Sequence, residues 1–137
     1  MKDAADLAAA YPGVTFVLQH AGILEDKSTQ GRASWQEGMK RLAGQPNIVS
    51  KLSGLGTFIQ RNDPSHIADV IHETVAIFGP GRCLFGSNFP IEKLWTSYLD
   101  LVNAHRAALA GYGASEQQAM LHGNARRIYR MTEVQIP

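Results

Sequence analysis

The chain is 137 residues long, room for one domain of ordinary size, and with 45% hydrophobic and 18% charged residues it has the composition of a water-soluble globular fold. A formal net charge of +1, without a basic run or an acidic tail, gives no pointer to nucleic acid or an anionic membrane surface. The single cysteine, Cys83, rules out an internal disulfide framework. Together with the lack of a secretory h-region or a long apolar run, that leads to the expectation of a cytoplasmic protein without a membrane span.

Residues 3–11 read as a helix with Leu7, Ala10 and Tyr11 at helical spacing, stopped by Tyr11-Pro12-Gly13. The run 14–19, Val-Thr-Phe-Val-Leu-Gln, is β-branched and aromatic and predicts a strand buried on both faces. A polar loop is expected over 21–33. Ser34-Trp35-Gln36-Glu37 then has the form of a capping box, with Trp35, Met39 and Leu42 as the buried stripe of the helix it would open. A second strand is predicted at 47–53, closed by Gly54 and Gly56. Asp63-Pro64 starts the clearest helix, on which Ile67, Val70, Ile71, Thr74, Val75 and Phe78 share one face. Gly79-Pro80-Gly81 ends it, and a short third strand is predicted over 82–86. A helix at 96–110 would carry Tyr98, Leu101, Val102, His105 and Leu109 on one face. Another is expected to start at Ser115 by capping-box logic, with Asn124 as the cap of a last short helix.

Alternating helices and strands argue for a parallel sheet with right-handed crossovers. The strand starts at 14, 47 and 82 lie 33 and 35 residues apart. A (β/α)₈ barrel has roughly 31 residues per unit, so a chain of this length supplies about half a barrel.

In such folds the site lies at the carboxyl ends of the strands. The informative segments are therefore His20-Ala21-Gly22, Lys51-Leu52-Ser53-Gly54 and Gly86-Ser87-Asn88-Phe89-Pro90. His20 shares the parity of Val14, Phe16 and Leu18. If that face points inward, His20 sits at the barrel mouth, where an imidazole can ligate a metal, polarise a carbonyl or shuttle protons. The bland alternative is a histidine hydrogen-bonded at a strand end. Asn88 could bind a substrate carbonyl or carboxylate, or stabilise a turn. Lys51 could anchor an acidic substrate or snorkel to solvent. Ser53 has no evident base partner, so a nucleophilic serine is not expected. His66, His72 and His122 are read as surface residues, His105 as a core residue and Cys83 as buried and inert. No pair of histidines has metal-site spacing.

These strand ends carry a resemblance. Residues 11–22, 46–55, 78–90 and 124–129, including Leu18-Gln19-His20-Ala21-Gly22, Ser50-Lys51-Leu52-Ser53-Gly54 and Phe85-Gly86-Ser87-Asn88-Phe89-Pro90, resemble the C-terminal part of the amidohydrolase-related family. Within it they look most like the lactonase-like branch that includes 2-pyrone-4,6-dicarboxylate lactonase and fuconolactonase-type enzymes. The resemblance implies an α/β fold: the C-terminal half of a (β/α)₈ TIM barrel, its strands corresponding to barrel strands six to eight. Residues 1–137 would then form a partial domain, with Met1 an internal methionine or the mark of a truncated gene. It further implies that His20 matches the family's site histidine after strand six, and that Asn88 stands where an aspartate serves as general base and, in metal-dependent members, as a ligand. Asparagine accepts no proton at neutral pH and ligates poorly.

The expectation is thus a hydrolase acting on a lactone or related cyclic carboxylate ester, with a small-molecule substrate and no nucleic acid or membrane partner. The fragment alone is expected to be inactive. His20 and Asn88 are the catalytic candidates, and Lys51, Ser53 and Phe89 the substrate-binding ones. His20 is also the one candidate ligand for a divalent metal such as zinc, a cofactor the family implies and Asn88 argues against. The alternatives are a non-catalytic barrel that binds a small carboxylate and a self-sufficient small α/β domain. A carboxylate from another strand near His20 and Asn88 would favour the enzyme, and a site with no base and no ligand cluster would favour the binder.

Overall fold

The computed structural model describes residues 1–132. Three strands, β1 (Phe16–Leu18), β2 (Ile48–Leu52) and β3 (Cys83–Phe85), form a parallel sheet in the order β1-β2-β3. Phe16 pairs with Ile48, and Leu52 pairs with Phe85. The strands lie where the apolar runs predicted them but are shorter at each end. Helices α1 (Lys2–Ala10), α2 (Thr29–Ala43) and α3 (Pro64–Phe78) alternate with them, followed by α4 (Tyr98–Leu109), α5 (Ala114–Gln118) and α6 (Asn124–Ile128).

Pleating divides the sheet residues between two faces. Ile48, Leu52 and Cys83, with Phe16 and Leu18 beside them, belong to one core with Met39 and Leu42 of α2 and Ile67, Ile71 and Val75 of α3. This is the helix-covered side. The face behind it carries Val17, Val49, Lys51 and Leu84. On that face Val49 and Leu84 are 5% and 0% exposed. With strands of three to five residues, that face holds only a few apolar side chains.

Helix α3 behaves as its periodicity requires. All six predicted stripe residues are buried, Asp63 accepts from the His66 amide as N-cap, and Pro64 opens the first turn. Helix α2 differs from its prediction. It begins five residues before Ser34, at Thr29, because Ser28 Oγ accepts from the Gly31 amide. Ser34 and Glu37 are then exposed residues inside a helix whose buried stripe, Trp35, Met39 and Leu42, is as predicted. Helix α1 buries Ala5 and Ala8 rather than Leu7, Ala10 and Tyr11, since small residues face α2. Leu7 and Tyr11 are 49% and 57% exposed. In α4, Leu101, His105 and Leu109 are buried as expected, while Tyr98 is exposed at the first turn.

The C-terminal segment also corrects two expectations. Helix α5 starts from Gly113, two residues before the predicted Ser115, and the Gly113 amide donates to the Glu116 carboxylate. Asn124 does not cap α6, because a π-turn over Ala119–Gly123 runs into that helix without a break. The Asn124 side chain is buried instead. Its Nδ2 donates to the carbonyls of Pro80 and Cys83, both at 2.7 Å, and so ties α6 to β3.

Candidate active site

His20, Ser53 and Asn88 all follow the carboxyl ends of strands in one parallel sheet. His20 does not continue the parity of β1, whose even residues Phe16 and Leu18 face the helices. A left-handed turn intervenes, with φ of 57° at His20, 48° at Ala21 and 66° at Gly22. Non-glycine residues adopt this region at a cost and need surrounding structure to hold them there. Trp35 supplies part of that hold, its indole Nε1 donating to the Ala21 carbonyl at 2.9 Å. The turn brings His20 Nδ1 to 2.9 Å from Ser53 Oγ, just past the carboxyl end of β2. Ser53 therefore has an imidazole partner, contrary to the sequence expectation, because the pairing spans 33 residues.

Two glycines make room for this arrangement. At Gly54 (φ 61°) a Cβ would lie 2.5 Å from His20 Nδ1, so any side chain would displace the imidazole. At Gly86 a Cβ would lie 2.4 Å from Lys51 Cε. The stem of Lys51 thus runs across the end of β3, and its ammonium makes no ion pair among the described residues. Lys51 is half-buried, between the anchoring and snorkelling extremes.

Asn88 also has positive φ, 54°, a conformation asparagine tolerates better than most residues. Its Nδ2 donates to Thr57 Oγ1 at 3.4 Å and to Glu92 Oε1 at 3.5 Å. Glu92 is the functional candidate that the sequence reading missed. It is 0% exposed, and its carboxylate accepts from Trp95 Nε1 at 2.6 Å and from Thr57 Oγ1 at 3.1 Å. The available signal was the spacing of Asn88, Glu92 and Trp95 on a short turn over Ile91–Leu94. An isolated acid beside a lysine in a loop reads as solvated, and only the fold closes the loop over it. Phe89 is half-buried and packs edge-on against Tyr98, with ring centroids 5.3 Å apart, and the peptide before Pro90 is cis.

His66 was expected at the surface but is half-buried, because it lines a small recess with His20, Gly54, Leu55 and Phe58. Burial is the main cause that lowers its pKa below the ordinary value. His72 is exposed as expected and reaches the Ala108 carbonyl at 2.7 Å, while His122 is exposed. His105 is a core residue, with Nδ1 2.9 Å from the Leu101 carbonyl. Cys83 is fully buried, and desolvation pushes its thiol up to about 12, which makes it inert. A groove of about 630 Å³ beside Met1, Asp26 and Trp35 contains none of the strand-end residues.

A metal finds a poor donor set here. Among the described residues no three His, Cys, Asp or Glu side chains converge on one point. His20 offers a single nitrogen, Asn88 turns its amide N–H₂ toward Glu92, and Glu92 is engaged by Trp95 and Thr57. These residues alone do not fit a divalent ion. No helix among the described residues is long and apolar enough to cross a membrane.

The amidohydrolase family model matches residues 1–131. The chain belongs to the amidohydrolase family. It is 36% identical to an uncharacterized protein of Sinorhizobium fredii over 96% of its own length and 44% of that relative. It is 31% identical to an L-fucono-1,5-lactonase of Burkholderia multivorans, covering 97% of this chain and 49% of that enzyme. The chain therefore spans about half the length of the curated relatives it matches. A crystal structure of an amidohydrolase from Burkholderia multivorans with bound zinc superposes with a TM-score of 0.87 at 28% identity, over 95% of this chain and 49% of the other. A 2-pyrone-4,6-dicarboxylic acid hydrolase structure from Pseudomonas putida superposes at 0.69 with 21% identity, over 93% and 49%, and bears on the fold alone. The α/β architecture is thus that of part of an amidohydrolase barrel.

Proposed function

We propose that the intact protein is a hydrolase of a lactone or related cyclic carboxylate ester, and that this chain supplies the carboxyl-terminal half of its barrel wall. The observation that carries this reading is the His20–Ser53 contact at the strand ends, in a chain of the amidohydrolase family. The lactonase name of a relative supports the substrate class. Glu92 adds a buried carboxylate beside Asn88, from the same loop after β3.

In this reading Ser53 holds one ring nitrogen of His20 and leaves Nε2 for the reacting centre. As Nε2–H it donates to the lactone carbonyl; as a lone pair it orders the attacking water. Water adds to the carbonyl carbon, the ring C–O bond breaks, and the leaving alkoxide takes up a proton to give a hydroxy acid. Asn88 orients the substrate. Lys51, without an ion pair among the described residues, offsets the negative charge that develops on the substrate. Phe89 borders the ring. No step is assigned to a metal, and the 137-residue chain by itself is expected to be inactive.

The test is lactone hydrolysis by the protein carrying its complete barrel, against His20→Ala. A catalytic acid or base typically contributes about 10²–10⁴-fold, so kcat/KM should fall by that order with folding unchanged. Tight lactone binding with no turnover in the wild type would instead support the binding barrel.

A further inference from the structure

We infer that Glu92 locks the amide of Asn88 with its carbonyl oxygen toward the strand-end mouth, so that this position selects a ligand hydroxyl over a ligand carboxylate. The inference rests on the site reading above and deepens it to a substrate class.

The groups behind Asn88 decide the orientation. The Thr57 hydroxyl gives its proton to Glu92 Oε1 at 3.1 Å, so toward Asn88 it presents only lone pairs. The same Oε1 lies 3.5 Å from Asn88 Nδ2, and Thr57 Oγ1 lies 3.4 Å away. Both neighbours are acceptors. Turning the amide over would set Oδ1 against a carboxylate and a lone pair. The hydrogen bonds are long, but the sign of the electrostatic preference does not depend on ideal geometry. Glu92 cannot move aside easily. Trp95 Nε1 binds its other oxygen at 2.6 Å, and a Cβ at Gly56 would already lie 2.9 Å from Oε2.

Asn88 Oδ1 is left with no donor among the described residues, and it is not among the buried polar atoms that lack a partner. An amide oxygen accepts and never donates. It receives a hydroxyl and repels a carboxylate oxygen, so a polyhydroxylated lactone fits this position and a carboxylated ring does not. The same geometry explains why an amide stands here at all. An aspartate carboxylate in this place would face the Glu92 carboxylate at close range, and the like charges would repel. Glu92 is a positioning residue and Asn88 the specificity group.

The experiment uses the protein with its complete barrel and the variants Asn88→Asp, Glu92→Gln and the double variant. Asn88→Asp is nearly isosteric, so folding is preserved. NMR titration of the introduced carboxyl should place it above the ordinary aspartate value of about 3.9, and adding Glu92→Gln should return it toward that value. In the wild type a polyhydroxylated δ-lactone should be preferred over a carboxylated lactone ring. Glu92→Gln, which frees the amide to turn, should reduce that preference by about tenfold, the worth of one hydrogen bond. An ordinary titration in the single variant, or a preference for the carboxylated ring that Glu92→Gln leaves unchanged, would overturn the inference. Absence of hydrolysis of either lactone defeats the lactonase reading, and the titration then decides the Asn88–Glu92 pairing by itself.

Discussion

His105 shows how one buried side chain sets a pH dependence. It is 1% exposed, its Nε2 makes no hydrogen bond among the described residues, and its ring meets Phe85 edge-on at 5.0 Å. Burial holds its pKa below the ordinary 6.5, against the opposing influence of backbone carbonyls and Glu92. The folded state therefore resists a proton that the unfolded chain accepts. The stabilising contribution is present above pH 6.5 and is lost as pH falls below it. The urea midpoint is expected to drop between pH 8 and pH 5.5, and the drop should shrink in His105→Gln. An equal slope in both proteins would show that His105 does not cause it. His20, by contrast, owes its place to neighbours: the indole of Trp35 on α2, the Ser53 hydroxyl, and the missing side chain of Gly54.

At the scale of elements, α2 separates two similar capping signals. Ser28 and Ser34 are both serines followed by helix-forming sequence, and only Ser28 accepts an amide at a helix start. Ser28→Ala is expected to lower stability by about 0.5–2 kcal/mol, the usual worth of an N-cap, while Ser34→Ala should change it little. Urea unfolding of the two variants checks this, and the reverse ranking would move the helix start to Ser34. The position matters for the site. Starting at Thr29 gives α2 an extra turn, whose Arg32 pairs with Glu73 of α3, and Gln36 binds the same carboxylate at 2.7 Å. Trp35 thereby sits on a helix tied to α3 by Arg32 and Gln36, and it is the residue that clasps the left-handed turn of His20.

The whole molecule leaves β1 and β3 as sheet edges among the described residues. Such edges present free amides and carbonyls to any other chain. Leu7, Tyr11 and Val14, near the start of β1, are 49%, 57% and 49% exposed, adding apolar surface on that side. Expressed by itself, the chain is expected to dimerise, aggregate or melt without cooperativity, as followed by light scattering and thermal unfolding. A monomer at high concentration with a sharp transition would speak for a self-sufficient small domain. Val49 and Leu84 behind the sheet are buried, so the free edges are the main cause of this self-association.

What the sequence determined by itself was local and periodic. The apolar stripe from Ile67 to Phe78, the N-cap at Asp63 and the apolar runs of the three strands each follow from spacing within a few residues. Their alternation was enough to read a parallel sheet, and the strand-end segments carried the family. Contacts far apart in the chain were decided only by the tertiary structure. The parity of His20 was overturned by backbone with positive φ, a conformation no side-chain alternation encodes. Its pairing with Ser53 crosses a whole helix, and Asn124 became a tie to β3 because the π-turn removed the helix start it would have capped. Glu92 had the least legible role. A carboxylate is read as solvated unless its donors are known, and those donors, Thr57 and Trp95, come together only when the loops after β2 and β3 close over the same point.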